Sequence, residues 1–162
     1  LGDVSVSLKW RLLEHHPLLG DLAVQPSVKL PSGSVARGAG TGTTDASLLL
    51  ISSRDAGAVH IDLNAGVTRR DGSGERVPRT ATVWTASFSG AVAGRLAWTA
   101  ELFGYPGTGG PQGAKPTAAL LVGPTFAWRE WLVLDAGGIV PFMGAQPRAL
   151  YAGAVVNVGR LY

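Results

Sequence analysis

The sequence predicts an all-β protein: an antiparallel, up-and-down β-barrel of the outer-membrane type, with about nine strands visible in a single domain over residues 1–162. Three observations carry that expectation. Apolar and polar residues alternate with a period of two through segments of about ten residues. Hydrophobic residues make up 46% of the chain and charged ones 15%, yet no apolar run approaches the roughly 18 residues of a transmembrane helix. The connections alternate short and long, as in barrels with tight turns on one side of a membrane and long loops on the other.

Residues 58–68 (AVHIDLNAGVT) show the alternation most clearly. Val59, Ile61, Leu63, Ala65 and Val67 lie on one face; His60, Asp62, Asn64, Gly66 and Thr68 lie on the other. Taken alone, this strand allows either face to be the outside. The first strand, 3–12, sets Val4, Val6, Leu8, Trp10 and Leu12 against Ser5, Ser7, Lys9 and Arg11. A short connection at 14–21 leads to 22–30, where Leu22, Val24, Val28 and Leu30 oppose Gln25, Ser27 and Lys29. Pro26 has no N–H for a ladder, so a bulge or strand end is expected there. A long Gly/Ser/Thr loop covers 31–44, and 46–53 (ASLLLISS) is apolar on both faces, which leaves its orientation open.

A second long loop spans 70–79 and includes Gly74. The strand at 80–89 places Trp84, Ala86 and Phe88 opposite Thr85, Ser87 and Ser89, and Val92, Ala93 and Gly94 turn the chain. In 95–105, Leu96, Trp98, Ala100 and Leu102 oppose Thr99 and Glu101. The most Gly-rich loop, 106–116, precedes a strand at 117–128 carrying Leu120, Val122 and Phe126. Arg129 and Glu130 form a minimal turn into 131–140, where Leu132, Leu134, Ala136 and Val140 oppose Asp135. The last strand, 149–162, sets Leu150, Ala152, Ala154, Val156 and Val158 against Gly153, Asn157 and Gly159. No segment has helical period without disqualifying Gly or β-branched content.

Strands of about ten residues suit a tilted bilayer crossing, whereas sandwich strands run nearer five or six. Trp10, Trp98, Trp128 and Trp131 fall near ends bounded by short turns, the place of a lipid-facing aromatic girdle, with Tyr105, Phe142 and Tyr151 toward the opposite rim. Lys9, Arg11, Gln25, Lys29, His60, Asp62, Asn64, Glu101, Asp135 and Asn157 all fall opposite the apolar set. In a soluble sandwich or ligand-binding barrel they form the solvated outside; in a membrane barrel they line the lumen. Strand length and loop alternation favour the lumen.

Several chemistries are set aside. The chain has no cysteine, which removes disulfides, thiolate catalysis and Cys-ligated metals. Its net charge of +3 is scattered rather than gathered into the basic patch that nucleic acid requires. RGAGTGTT at 37–44 lacks the Gly-Lys-Ser/Thr ending of a phosphate loop and reads as a flexible outer loop. His15 and His16 are adjacent and point apart on extended chain, so a polar turn is expected rather than a metal site. His60 and Asp62 share a face and, with a neighbouring serine, could imitate a lipid-acting barrel hydrolase. No Gly-x-Ser-x-Gly elbow accompanies them, so no catalysis and no cofactor are expected. A lumen hydrogen-bond network is expected instead, with Glu101 and Asp135 balancing Lys9, Arg11 and Lys29.

Five stretches also carry a resemblance: GDVSVSLKWRLLE (2–14), VQPSVKLPSG (24–33) followed by GTGTTDASLLL (40–50), HIDLNAGV (60–67) and WTAELFGY (98–105). Together they resemble the bacterial outer-membrane transporter family of the MetA pathway of phenol degradation. The resemblance implies a barrel of about a dozen strands in the bacterial outer membrane, inserted by the outer-membrane assembly machinery. It also implies the passage of small hydrophobic or aromatic solutes. Tyr162 supplies a terminal aromatic, but Arg160 stands where assembly signals prefer an apolar residue. If the long loops face outward, the last strand ends inside and the first descends from outside. An odd number of strands, about three, together with a signal peptide, is then expected ahead of Leu1. Without them the sheet would keep two unpaired edges.

Overall fold

The computed structural model describes residues 2–72, 78–109 and 113–159. Ten strands form one antiparallel sheet: β1 (Val4–Ser7), β2 (Trp10–His16), β3 (Gly20–Leu30), β4 (Asp45–Ala56), β5 (Val59–Arg70), β6 (Thr80–Ala93), β7 (Leu96–Tyr105), β8 (Thr117–Arg129), β9 (Leu132–Met143) and β10 (Ala149–Val156). A single 3-10 turn, Val35–Arg37, is the only helical element among the described residues. From β3 onward each strand pairs with the next in sequence, the up-and-down order expected. Among the described residues β1 and β10 do not pair, so this barrel-like wall is not closed.

Ten strands appear where about nine are expected because the first expected strand is two. β1 and β2 run along the same side of β3 in one register: Val6 opposes Val28 and Trp10 opposes Val24. The break at Leu8 and Lys9 faces Pro26. The Leu8 N–H reaches the Pro26 carbonyl at 3.1 Å, but Pro26 has no N–H to return. The irregularity predicted at Pro26 therefore appears on the strand opposite, while β3 itself continues. Gly123 and Pro124 interrupt the β8–β9 ladder in the same way, between the pairs Val122↔Gly138 and Thr125↔Asp135. There the backbones approach so closely that a Cβ on Gly123 would clash with the Ala136 carbonyl.

Other ends move by a few residues. β6 runs on through Val92 and Ala93 across a bulge, so the turn expected there falls at 94–95, where Gly94 takes φ +54°. β2 extends to His16, beyond the expected strand end at Leu12. β10 stops at Val156. Arg160 and Tyr162, the residues of the expected terminal signal, and Gly74 lie outside the described residues.

The two faces of the sheet differ in kind. Bridge partners carry one alternating set from strand to strand: Leu50↔Ala65↔Trp84, and Val6↔Val28↔Ala46. This set is apolar and open, with Trp10 66%, Leu48 47% and Leu63 49% accessible. The opposite set is sheltered: Ala119 is fully covered, and Asp45 is 6% and Ile51 9% accessible. The pattern is that of a sheet coiled about its polar face. The orientation of β4, open from the sequence, is decided by this register. Leu48 and Leu50 join the open face, and Leu49 and Ile51 the sheltered one.

Candidate functional site

The sheltered face is built row by row across the ladders. One row runs Asp21↔Ser53↔Asp62↔Ser87↔Glu101, and the next Ala23↔Ile51↔Asn64↔Thr85↔Phe103. A third runs Lys29↔Asp45↔Arg70. Gln25, Lys29, His60, Asp62, Asn64, Glu101 and Asp135 thus share one face, as alternation predicts. Arg11 joins it through Ala23, while Lys9 occupies the break between β1 and β2. Asn157 continues the ladder one step beyond the pair Val156↔Leu132. Past the end of β10, its N–H bonds the Trp131 carbonyl at 2.8 Å, so it clamps the 130–131 turn.

At the long-loop end the polar face closes into a network drawn from strand ends and loop residues. Lys29 Nζ lies 2.7 Å from Asp3 Oδ2 and 3.3 Å from Asp45 Oδ2, and donates to the Thr43 carbonyl at 3.0 Å and to the Thr41 hydroxyl. Arg70 Nε stands 3.7 Å from Asp45, whose other oxygen accepts the Thr43 hydroxyl at 2.8 Å. Asp3 also accepts the N–H groups of Gly33 and Thr41 at 2.9 and 3.1 Å. The Lys29 ammonium, then these two amides, hold the Asp3 carboxyl far below its ordinary range. The GTGTT loop, expected to be flexible, is therefore tied to β3 and to the segment before β1. Its Thr41 N–H is committed to a carboxylate and is not part of a phosphate cradle.

At the short-turn end a cavity of about 340 Å³ is lined by all three histidines with Asp21 and Asp55. His60 is held on both sides, Nδ1 at 2.7 Å from Asp55 and Nε2 at 3.4 Å from Asp62. Ser53, the neighbouring-strand serine, donates its hydroxyl to Asp62 and not to the histidine. A nucleophile must hand its proton to a base within reach, and no serine among the described residues is hydrogen-bonded to His60. His16 Nδ1 receives the amides of Leu18 and Leu19, making His16 part of the turn. No group of three or more His, Asp or Glu among the described residues is placed to hold a metal ion.

No protein-family model matches this chain, and no curated protein matches it.

The expected charge balance is redistributed. Lys29 pairs with Asp3 and Asp45, and Arg11 with Glu14 at 2.9 Å, rather than with Glu101 or Asp135. Distance explains it: β3 and β7 are four ladder steps apart, about 19 Å at the usual strand spacing. Pairing goes to the adjacent strand or loop. Asp3, Asp45 and Arg70 sit at or beside strand ends, where alternation does not single them out.

The aromatic residues also sort differently. Trp98, Trp128 and Trp131 cluster at the short-turn end, but Trp10, the first residue of β2, opposes Val24 in the middle of β3. Tyr105 and Tyr151 belong to the polar face, through Thr117 and Gly137, so of the expected opposite rim only Phe142 remains accessible on the apolar side. Trp84 lies over Gly104 and Trp98 over Gly90, cross-strand pairs in which the missing side chain makes room for the indole.

Proposed function

We propose that this chain is the wall of an outer-membrane barrel through which small hydrophobic or aromatic solutes pass. The observation that carries the reading is the inversion of faces: the large apolar residues are the accessible ones, while the charged and hydroxyl side chains share the sheltered side. In water an apolar sheet face is covered by a second layer. Here the ten strands make one sheet, and among the described residues neither a second sheet nor a helix lies over the apolar face. A lipid bilayer is the partner that suits such a face, and a polar lumen the counterpart of the other.

Tight connections at 57–58, 94–95 and 130–131 against long ones at 31–44 and 106–116 support the usual orientation, with long loops outside. The bacterial outer membrane as location, insertion by its assembly machinery and the solute class rest on the resemblance carried by residues 2–14, 24–33, 40–50, 60–67 and 98–105. Passage without catalysis agrees with His60 being held between two carboxylates. Reconstitution tests the reading: the purified chain should conduct in planar bilayers and admit phenol-sized solutes into liposomes. Silent bilayers together with impermeable liposomes would overturn it.

A further inference from the structure

At the long-loop end of β7, β8 and β9 an open cavity of about 550 Å³ lies between loops 106–116 and 144–148. Its size falls within the range of small-ligand sites, about 300–1,000 Å³. The lining is mainly apolar: Tyr105, Ala114, Thr117 and Ala145, with Lys115 and Gln146 as its long polar side chains. Tyr105 is half-exposed and backed edge-on by Phe103, ring centres 6.4 Å apart at 80°.

The walls are built. Thr108 and Ala114 close the first loop on itself, N–H to carbonyl at 3.0 Å and amide to hydroxyl at 2.9 Å. Gly144, at φ +79°, presses so closely on Pro116 and Thr117 that a Cβ there would meet the Pro116 carbonyl at 2.6 Å. The second loop is thereby seated against the start of β8.

An apolar floor, the exposed ring of Tyr105 and the ammonium of Lys115 select a molecule with the converse features. We infer that this cavity takes a small organic acid with a compact apolar body, its ring or chain against Tyr105 and its carboxylate against Lys115. Neither feature alone suffices, because an exposed ion pair is weak in water while apolar contact has no preference for charge. The inference rests on the proposed passage reading for the cavity's position at the outer mouth, and it deepens that reading by naming an anionic solute class.

Calorimetric titration of the detergent-solubilised chain with benzoate, benzyl alcohol and acetate tests it, with empty micelles as the blank. Benzoate should bind saturably, and its neutral isostere about tenfold more weakly. Acetate, which has the charge without the body, should show no saturation. Lys115→Gln should weaken benzoate by about tenfold and leave benzyl alcohol unchanged, while Tyr105→Ala should weaken both. Equal affinity of benzoate for the Lys115→Gln variant, or acetate binding as tightly as benzoate, would overturn the assignment. Bilayer conductance is read separately: a conducting barrel that ignores benzoate refutes this site alone, and a silent barrel that binds it refutes passage alone.

Discussion

Lys29 Nζ lies 2.7 Å from Asp3 Oδ2, a bond that joins the third strand to the segment ahead of the first. Asp45, on the opposite side of β3, shares the same nitrogen at 3.3 Å. One ammonium thus fixes three pieces of chain, together with the loop threonines Thr41 and Thr43.

Replacing Lys29 by Met should leave Asp3 and Asp45 facing each other without their shared cation. The expected loss is about 2 kcal/mol, below the figure for a fully buried pair because Lys29 retains one-fifth of its exposure. Loop 31–44 should loosen first. Limited trypsin digestion should then cut after Arg37, in the 3-10 turn, while the wild-type chain resists. Unchanged resistance would mean the loop is held by its own backbone bonds.

Asp3 sets the acid limit of this anchor. Its carboxyl is held far below the ordinary value of 3.8 by the Lys29 ammonium and by the Gly33 and Thr41 amides. A depressed carboxyl stabilises the fold above its unfolded-state value and loses that contribution as pH falls through its folded value. Carboxyl NMR should therefore show no Asp3 titration between about pH 5 and 3. In Lys29→Met, whose largest lowering contact is gone, titration should move back toward the usual carboxylate range.

The two faces should respond oppositely to one charge. Leu50→Arg, on the accessible face, should cost about 2–4 kcal/mol of folding into lipid vesicles, the range for arginine near a bilayer midplane. Asn64→Arg lies on the polar face, one residue along from the Ala65 that opposes Leu50. It should fold normally and change conductance. Urea titrations in vesicles, read by band shift on unheated gels, distinguish the two; equal penalties would remove the basis for a lipid-facing side.

The Trp84 and Gly104 pair should tolerate no Cβ. A methyl at residue 104 would lie 2.6 Å from the indole, on rigid ring atoms flanked by two ladders. Gly104→Val should cost about 1–3 kcal/mol through overpacking. Combining it with Trp84→Ala should recover most of that loss, and tryptophan emission in the single variant should shift as Trp84 is displaced.

Fold class was legible because a period of two is a local property. Each strand states it within its own residues, and Gly and Pro punctuate the ends. Even the disturbance at Pro26 could be foreseen from a missing donor. What could not be read was which neighbour would bear it, because that depends on the side of β3 toward which the prolyl nitrogen points. The same ladder parity oriented residues 46–53, where apolar residues on both faces gave alternation nothing to work with.

The candidate site divides along similar lines. That His60, Asp62, Asn64 and Glu101 share a face followed from alternation. That Asp3, Lys29, Asp45 and Arg70 converge did not, because it depends on the register of β3, β4 and β5 and on how loop 31–44 folds back onto Asp3. The sequence by itself determined the strands, their two-faced chemistry and the order of their turns, all consequences of short-range geometry. Only the tertiary structure decided which charges meet and which face is sheltered, because those outcomes depend on register and coiling across ladders that no single strand contains.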